Sequence, residues 1–131
     1  MYQRTVVVGH LGRDPEMRYT QEGTPVTSFN VATTRRWTSR EGEAREETTW
    51  FRVSAWGRQA EVCNQYLSKG RLVLVEGTVN ASAWKGRDGE ARASLELRAE
   101  RVVFLGGRGE PVEADTGAEV GEDVGEDEIP F

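Results

Sequence analysis

At 131 residues the chain has room for one domain with a modest core, and its formal charge of −5, taken alone, argues against a nucleic-acid partner. The charge is not spread evenly: residues 1–108 hold all 17 Lys and Arg against 13 acids, whereas residues 109–131 hold 9 acids and no base. The longest apolar runs, VVV and LVLV, are far too short to span a membrane, and the lone Cys63 excludes an intrachain disulfide.

The opening MYQRTVVVGH has no apolar stretch followed by a small-residue cleavage site. With the single cysteine, this sets a cytoplasmic location as the expectation. TVVVGHL reads as a short buried strand, with His10, the only histidine, as a structural residue near its end. In RDPEMR the carboxylates of Asp14 and Glu16 flank Pro15 with no third ligand near in sequence. They read as turn and loop chemistry rather than a metal site. TPVTSFNVATTRRW alternates as a strand, with Phe29, Val31 and Thr33 on one side and Ser28, Asn30 and Ala32 on the other. The polar TSREGEAREE, centred on Gly42, reads as a long hairpin tip, and TTWFRVSAW as the return strand.

GRQAEVCNQYLSKG breaks the alternation. Ala60, Cys63 and Leu67 recur at helical spacing with Tyr66 alongside, which predicts a short amphipathic helix stopping near Lys69-Gly70, with Cys63 as a small buried hydrophobe. RLVLVEGTVNASAW is the next strand and KGRDGE the turn after it, since Asp-Gly supplies hairpin backbone chemistry. ARASLELRAERVVFL closes the set, its Ala91, Ala93, Leu95, Leu97 and Ala99 sharing one face. Five strands with one helix between the third and fourth long ones is the chain order of an all-β OB-fold, a five-stranded, partly open Greek-key barrel. No internal repeat is visible. From Gly106 onward Gly, Glu and Asp dominate. Such a segment buries too little apolar surface to offset its ordering entropy and is expected to be disordered. The domain reading is therefore an OB-fold over 1–108 and an acidic tail over 109–131, ending on the apolar IPF.

The return strand poses the functional question. Phe51, Val53 and Ala55 supply a core face, yet Trp50, Arg52 and Trp56 occupy the other. All four tryptophans, Trp37, Trp50, Trp56 and Trp84, have a base nearby: Arg35 and Arg36, Arg52, Arg58, Lys85 and Arg87. Any one of these rings alone reads as structural. Together they match what single-stranded nucleic acid requires: cations at intervals for phosphates and flat apolar partners for unpaired bases. Each stacked base contributes on the order of 1–3 kcal/mol whatever its identity.

The quoted segments VVVGHLGRDPEMRYTQEGTPVTSFNVATTRRW, EETTWFRVSAWGRQAEVCNQYLSKG, LVLVEGTVNASAW and DEIPF together resemble the bacterial single-stranded DNA-binding protein family over nearly the whole chain. The resemblance implies an OB-fold assembled as a homotetramer, with single-stranded DNA wrapped over several subunits. It implies a nucleoid-associated role in replication, recombination and repair. Trp37, Trp50 and Trp84 fall where the family has base-stacking tryptophans, and Trp56 where many members have a stacking phenylalanine. Phe51 stands where some members have a histidine linked to assembly. The tip Asp127, Glu128, Ile129, Pro130 and Phe131, usually with two aspartates in the family, implies docking of replication, recombination and repair proteins. A tail of 23 residues has a root-mean-square reach of roughly 25 Å, so it can also visit the basic body.

No cofactor, metal or catalytic residue is expected, because one histidine and one cysteine leave little to build an active site from. Three other binding readings stay open: an oligosaccharide module, a structured-RNA module, and an adaptor that only presents the tail.

Overall fold

Alternation of inward apolar and outward polar residues shapes every long strand of the computed structural model, which describes residues 1–106 and the backbone of residues 112 and 113. Arg108, the expected domain boundary, and the acidic tail with its tip 127–131 lie outside the described residues, except for residues 112 and 113, which fall in the segment expected to be disordered and are instead paired in a short strand. Strand β1 (Thr5–Leu11) turns Val7 and Leu11 inward. The short β2 (Glu16–Tyr19) pairs with the start of β3 (Pro25–Thr38). β3 and β4 (Ala44–Trp56) form one long antiparallel hairpin, in register from Val26 opposite Trp56 to Thr38 opposite Ala44. Helix α1 (Arg58–Tyr66) follows, and then a second long hairpin of β5 (Leu72–Lys85) and β6 (Ala91–Leu105). The two-residue β7 (Val112–Glu113) adds to β6 at Val103 and Phe104.

Closure comes from two long-range pairings. β1 lies against β5 along Thr5–His10 and also meets β3 at His10 and Leu11. β4 runs parallel to β6, with Phe51–Ser54 beside Leu95–Arg98. The ring β1-β5-β6-β4-β3 therefore returns to β1 as a closed five-stranded barrel, the OB-fold expected from the element order. Gly9 makes the seam possible, because a Cβ there would stand 2.1 Å from the Ala32 carbonyl oxygen.

Phe29, Val31, Val53, Ala55, Val73, Val75, Leu97 and Val102 fill the barrel. α1 plugs one end with Ala60, Val62 and Cys63, and the buried Thr27 hydroxyl donates to the Ala60 carbonyl at 2.6 Å, tying helix to barrel. The helix ends earlier than its sequence suggests. Leu67 is already extended and buried, and its N–H donates to the Cys63 carbonyl at 3.0 Å, so Lys69-Gly70 belongs to the next turn.

Three further expectations change. Glu16 is not a loop residue but opens β2 opposite Ser28; Asp14 does serve the loop, accepting the Lys69 N–H at 2.8 Å. The polar hairpin tip shrinks to residues 39–43, because β3 and β4 pair out to Thr38 and Ala44. In β6 the alternation slips: Ala99 faces Gly77, but Arg101 faces Glu76, leaving Glu100 as the extra residue of a bulge. The core positions beyond Ala99 are thus Val102 and Phe104. Beside the bulge, Glu76 accepts from Arg4 and from Arg101, each at 3.1 Å, and these hydrogen bonds hold its carboxyl below the usual carboxylate range.

Candidate nucleic-acid interface

Strand register fixes which side chains share the outer face of the sheet, because directly paired residues point the same way. β3 and β4 set Val26 beside Trp56, Ser28 beside Ser54, Asn30 beside Arg52 and Ala32 beside Trp50. β6 then adds Glu96 next to Arg52 and Arg98 next to Ser54. β5 continues the row with Asn80 opposite Glu96, and Trp84 stands opposite Arg92. Trp50, Arg52, Trp56 and Trp84 therefore belong to one continuous face. The rings are wet: Trp50 is 53% exposed, Trp84 48%, Trp37 38% and Trp56 37%. An indole in the core would show almost none of this area to water.

Two of the rings have an identified neighbour on the face. Trp50 lies over Gly12 in the loop after β1, where a Cβ would come within 2.5 Å of its Cζ3 and 2.7 Å of its Cη2. That loop is pinned by the Gly12 N–H donating to the Asn30 carbonyl at 3.1 Å. Trp56 carries the Arg98 guanidinium 4.8 Å above its ring centroid.

Trp37 is displaced from this group. It pairs with Arg45, and Arg35 with Glu47, so both fall on the opposite face of the β3–β4 ribbon from Trp50. There the Arg35 guanidinium lies 4.7 Å from the Trp37 centroid. Arg36 shares the Trp50 face but is engaged by Glu46 at 2.8 Å. Arg58 opens α1 beyond Trp56, Lys85 ends β5, and Arg87 sits in the turn after it. The structure thus gathers Trp50, Arg52, Trp56 and Trp84, leaves Trp37 with Arg35 on the reverse of the ribbon, and puts Lys85 and Arg87 at a hairpin end.

Among the described residues, no carboxylate lies within ion-pair distance of Arg52, Arg58, Lys85 or Arg87. Glu96, the acid nearest Arg52 in register, instead accepts from the Ser94 hydroxyl at 2.6 Å. Among the described residues, Arg52 thus stands between the rings with no ion pair of its own. Sequence reasoning missed Arg98, Arg92 and Gly12. Alternation puts both arginines on a wet face; Arg92 faces Trp84 across the predicted Asp-Gly hairpin, whereas the nearness of Arg98 to Trp56 depends on the long-range pairing of β4 with β6. No group of three or more His, Cys, Asp or Glu able to hold a metal ion occurs among the described residues.

The fold is that of an OB-fold protein, and the outer face of its sheet sets half-exposed aromatic rings beside arginines. The chain belongs to the single-strand binding protein family, whose family profile matches residues 2–105. It is 39% identical over 107 residues to a single-stranded DNA-binding protein of Neisseria meningitidis serogroup A, covering 82% of this chain and 62% of that protein. A single-stranded DNA-binding protein of Xanthomonas campestris pv. campestris is 40% identical over 107 residues, with the same two coverages of 82% and 62%. The chain thus matches over about three-fifths of the length of these relatives. The solved complex of Plasmodium falciparum SSB with ssDNA aligns with a TM-score of 0.71 at 23% identity, covering 81% of this chain and 97% of that one, a likeness of fold.

Proposed function

We propose that this protein binds single-stranded DNA without regard to sequence and coats it stoichiometrically, protecting exposed strands during replication, recombination and repair. One observation carries the reading: Trp50, Trp56 and Trp84 stand half-exposed on a single sheet face, with Arg52, which makes no ion pair among the described residues, and the ring-stacked Arg98 among them. Bases lie flat on the indoles, which every base can do, and guanidiniums neutralise the phosphates between them. The names of the Neisseria and Xanthomonas relatives and the DNA in the Plasmodium complex point the same way. No bond is made or broken, and no cofactor is required.

The acids and Phe131 of the tip 127–131 support recruitment of replication, recombination and repair proteins, since a ring beside carboxylates suits a pocket that joins apolar surface to Arg or Lys. Assembly into a homotetramer is supported by a second face. Val6 and Val8 project outward from β1, with Leu74 opposite Val8, and both valines are exposed. The expected setting is the cytoplasmic nucleoid.

The test is a titration of the full chain with an unstructured thymidine oligomer, following tryptophan emission at several salt concentrations. Strong quenching, affinity falling steeply with salt, and much weaker binding of duplex are expected. Absent quenching with equal affinity for duplex overturns the assignment. Binding that barely responds to salt turns it toward an oligosaccharide.

A further inference from the structure

We infer that the bound strand does not end at the tryptophan face but continues sideways across β2, through a cationic groove where Arg13, Arg18 and Arg52 hold phosphodiester groups and Tyr19 receives a base. The inference rests on the single-stranded DNA reading above and extends its path from Arg52 to Arg13, Arg18 and Tyr19, which that reading does not use.

Two adjoining concavities carry it. One is bordered by Arg13, Asp14, Glu16, Asn30 and others; the second by Tyr19, Thr20 and Val26; and they share Arg18, Ser28 and Arg52. The groove is continuous with the indoles. Arg18 pairs with Val26, and Val26 with Trp56, so the three side chains form one row across β2, β3 and β4 on the same face. Two inter-strand spacings put Arg18 about 10 Å from Trp56, backbone to backbone, which its long side chain shortens.

The charge in the groove is available. Among the described residues Arg13 and Arg52 have no carboxylate within ion-pair distance. Arg18 meets Glu16 at 3.1 Å, but both side chains are about 70% exposed, and such a pair is worth little and exchanges readily for a phosphate. Asp14 is already engaged by the Lys69 N–H. Among the described residues none of the three arginines donates to a backbone carbonyl, so none is needed to hold a loop in place. At the rim, Tyr19 is 62% exposed at the end of β2. Guanidiniums with an adjacent open ring repeat, on a smaller scale, the chemistry of the tryptophan face. An acidic peptide would use the arginines but has no need of Tyr19 or of continuity with Trp56.

The test compares the full-length chain with the variant Arg13→Ala plus Arg18→Ala and with Tyr19→Ala, using fluorescein-labelled thymidine oligomers across a salt series. All three positions are exposed, so unchanged thermal melting is expected. Losing two phosphate contacts should flatten the log-affinity against log-salt slope by about 1.4, with maximal tryptophan quenching unaltered because every indole remains. Tyr19→Ala should weaken binding roughly tenfold without changing the slope, and Tyr19→Phe should restore it. Glu16→Gln, which frees Arg18, should tighten binding. A double variant with the wild-type slope and affinity overturns the groove while the tryptophan reading stands. So does a synthetic peptide of residues 109–131 that binds the wild type but not the double variant while the DNA slope stays unchanged, which would assign the groove to an acidic segment. A wild type that neither binds nor quenches overturns the underlying reading instead.

Discussion

Replacing Trp50 and Trp56 together by alanine separates stacking from electrostatics, because it removes two rings and no charge. Both are half-exposed, so each buries on the order of 100 Å² of an aromatic side chain's full area. At ~25 cal/mol per Å² the lost burial costs at most about 2 kcal/mol for each ring after the alanine methyl is allowed for. A typical domain has about 5–15 kcal/mol in hand, so the barrel should melt earlier but stay folded at 25 °C. Binding should suffer far more. At ~1–3 kcal/mol per stacked base, two lost platforms weaken affinity for a thymidine oligomer by a factor between about thirty and about twenty thousand. Fluorescence anisotropy of a labelled oligomer measures this without relying on the missing indoles, and circular dichroism establishes that the fold is retained. The salt slope should stay close to that of the wild type, since Arg52 and Arg98 are untouched. A folded double variant whose affinity lies within about threefold of the wild type would show that these rings are not platforms for bases.

Gly12→Ala should push the Trp50 indole off its seat, since the added methyl would come within 2.5 Å of the ring and a surface side chain can yield. We expect altered tryptophan emission, near-native melting and about a three- to tenfold loss in oligomer affinity, less than the full value of a stacked base; unchanged emission would contradict the seating of Trp50 over Gly12. Gly9→Ala meets the Ala32 carbonyl oxygen at 2.1 Å, where only backbone could move, so it should destabilise barrel closure by roughly 3 kcal/mol or more in urea unfolding, and a neutral result would refute the close approach. Glu76 has its carboxyl pKa depressed by hydrogen bonds from Arg101 and Arg4, so its contribution to stability is complete above the ordinary carboxylate value and vanishes as pH falls through the lowered one. The melting temperatures of wild type and Glu76→Gln should therefore differ at pH 7 and converge in acid; a constant gap down to about pH 2 would contradict this linkage.

Much of the fold was legible because period-two alternation is a strong signal where one face is buried. In β4 the split between Phe51, Val53, Ala55 and Trp50, Arg52, Trp56 names both the core and the wet face before any pairing is known. The helix stood out for the same reason, its spacing breaking the alternation. What stayed hidden depends on contacts distant in sequence. β2 is four residues beside a proline and two acids, too short to alternate, and it exists because β3 offers it an edge. The bulge at Glu100 reverses the inward face of β6 in response to Gly77 on the partner strand. The placement of Arg98 over Trp56 follows from the parallel contact between β4 and β6, which no local pattern announces.

Trp37 shows how register alone can constrain a binding path. The five-residue tip 39–43 sets Thr38 opposite Ala44, and counting back from there assigns Trp37 and Trp50 to opposite faces of one ribbon. A single strand lying flat along Trp50, Arg52 and Trp56 cannot also stack on Trp37 unless it turns around the edge of the hairpin or a separate segment reaches the reverse side. Both rings are wet, and each has its own guanidinium chemistry nearby, Arg52 on one face and Arg35 on the other. For a ligand that uses all four indoles, wrapping is therefore a consequence of hairpin parity. It follows from where the turn falls in the sequence and requires no change in the barrel.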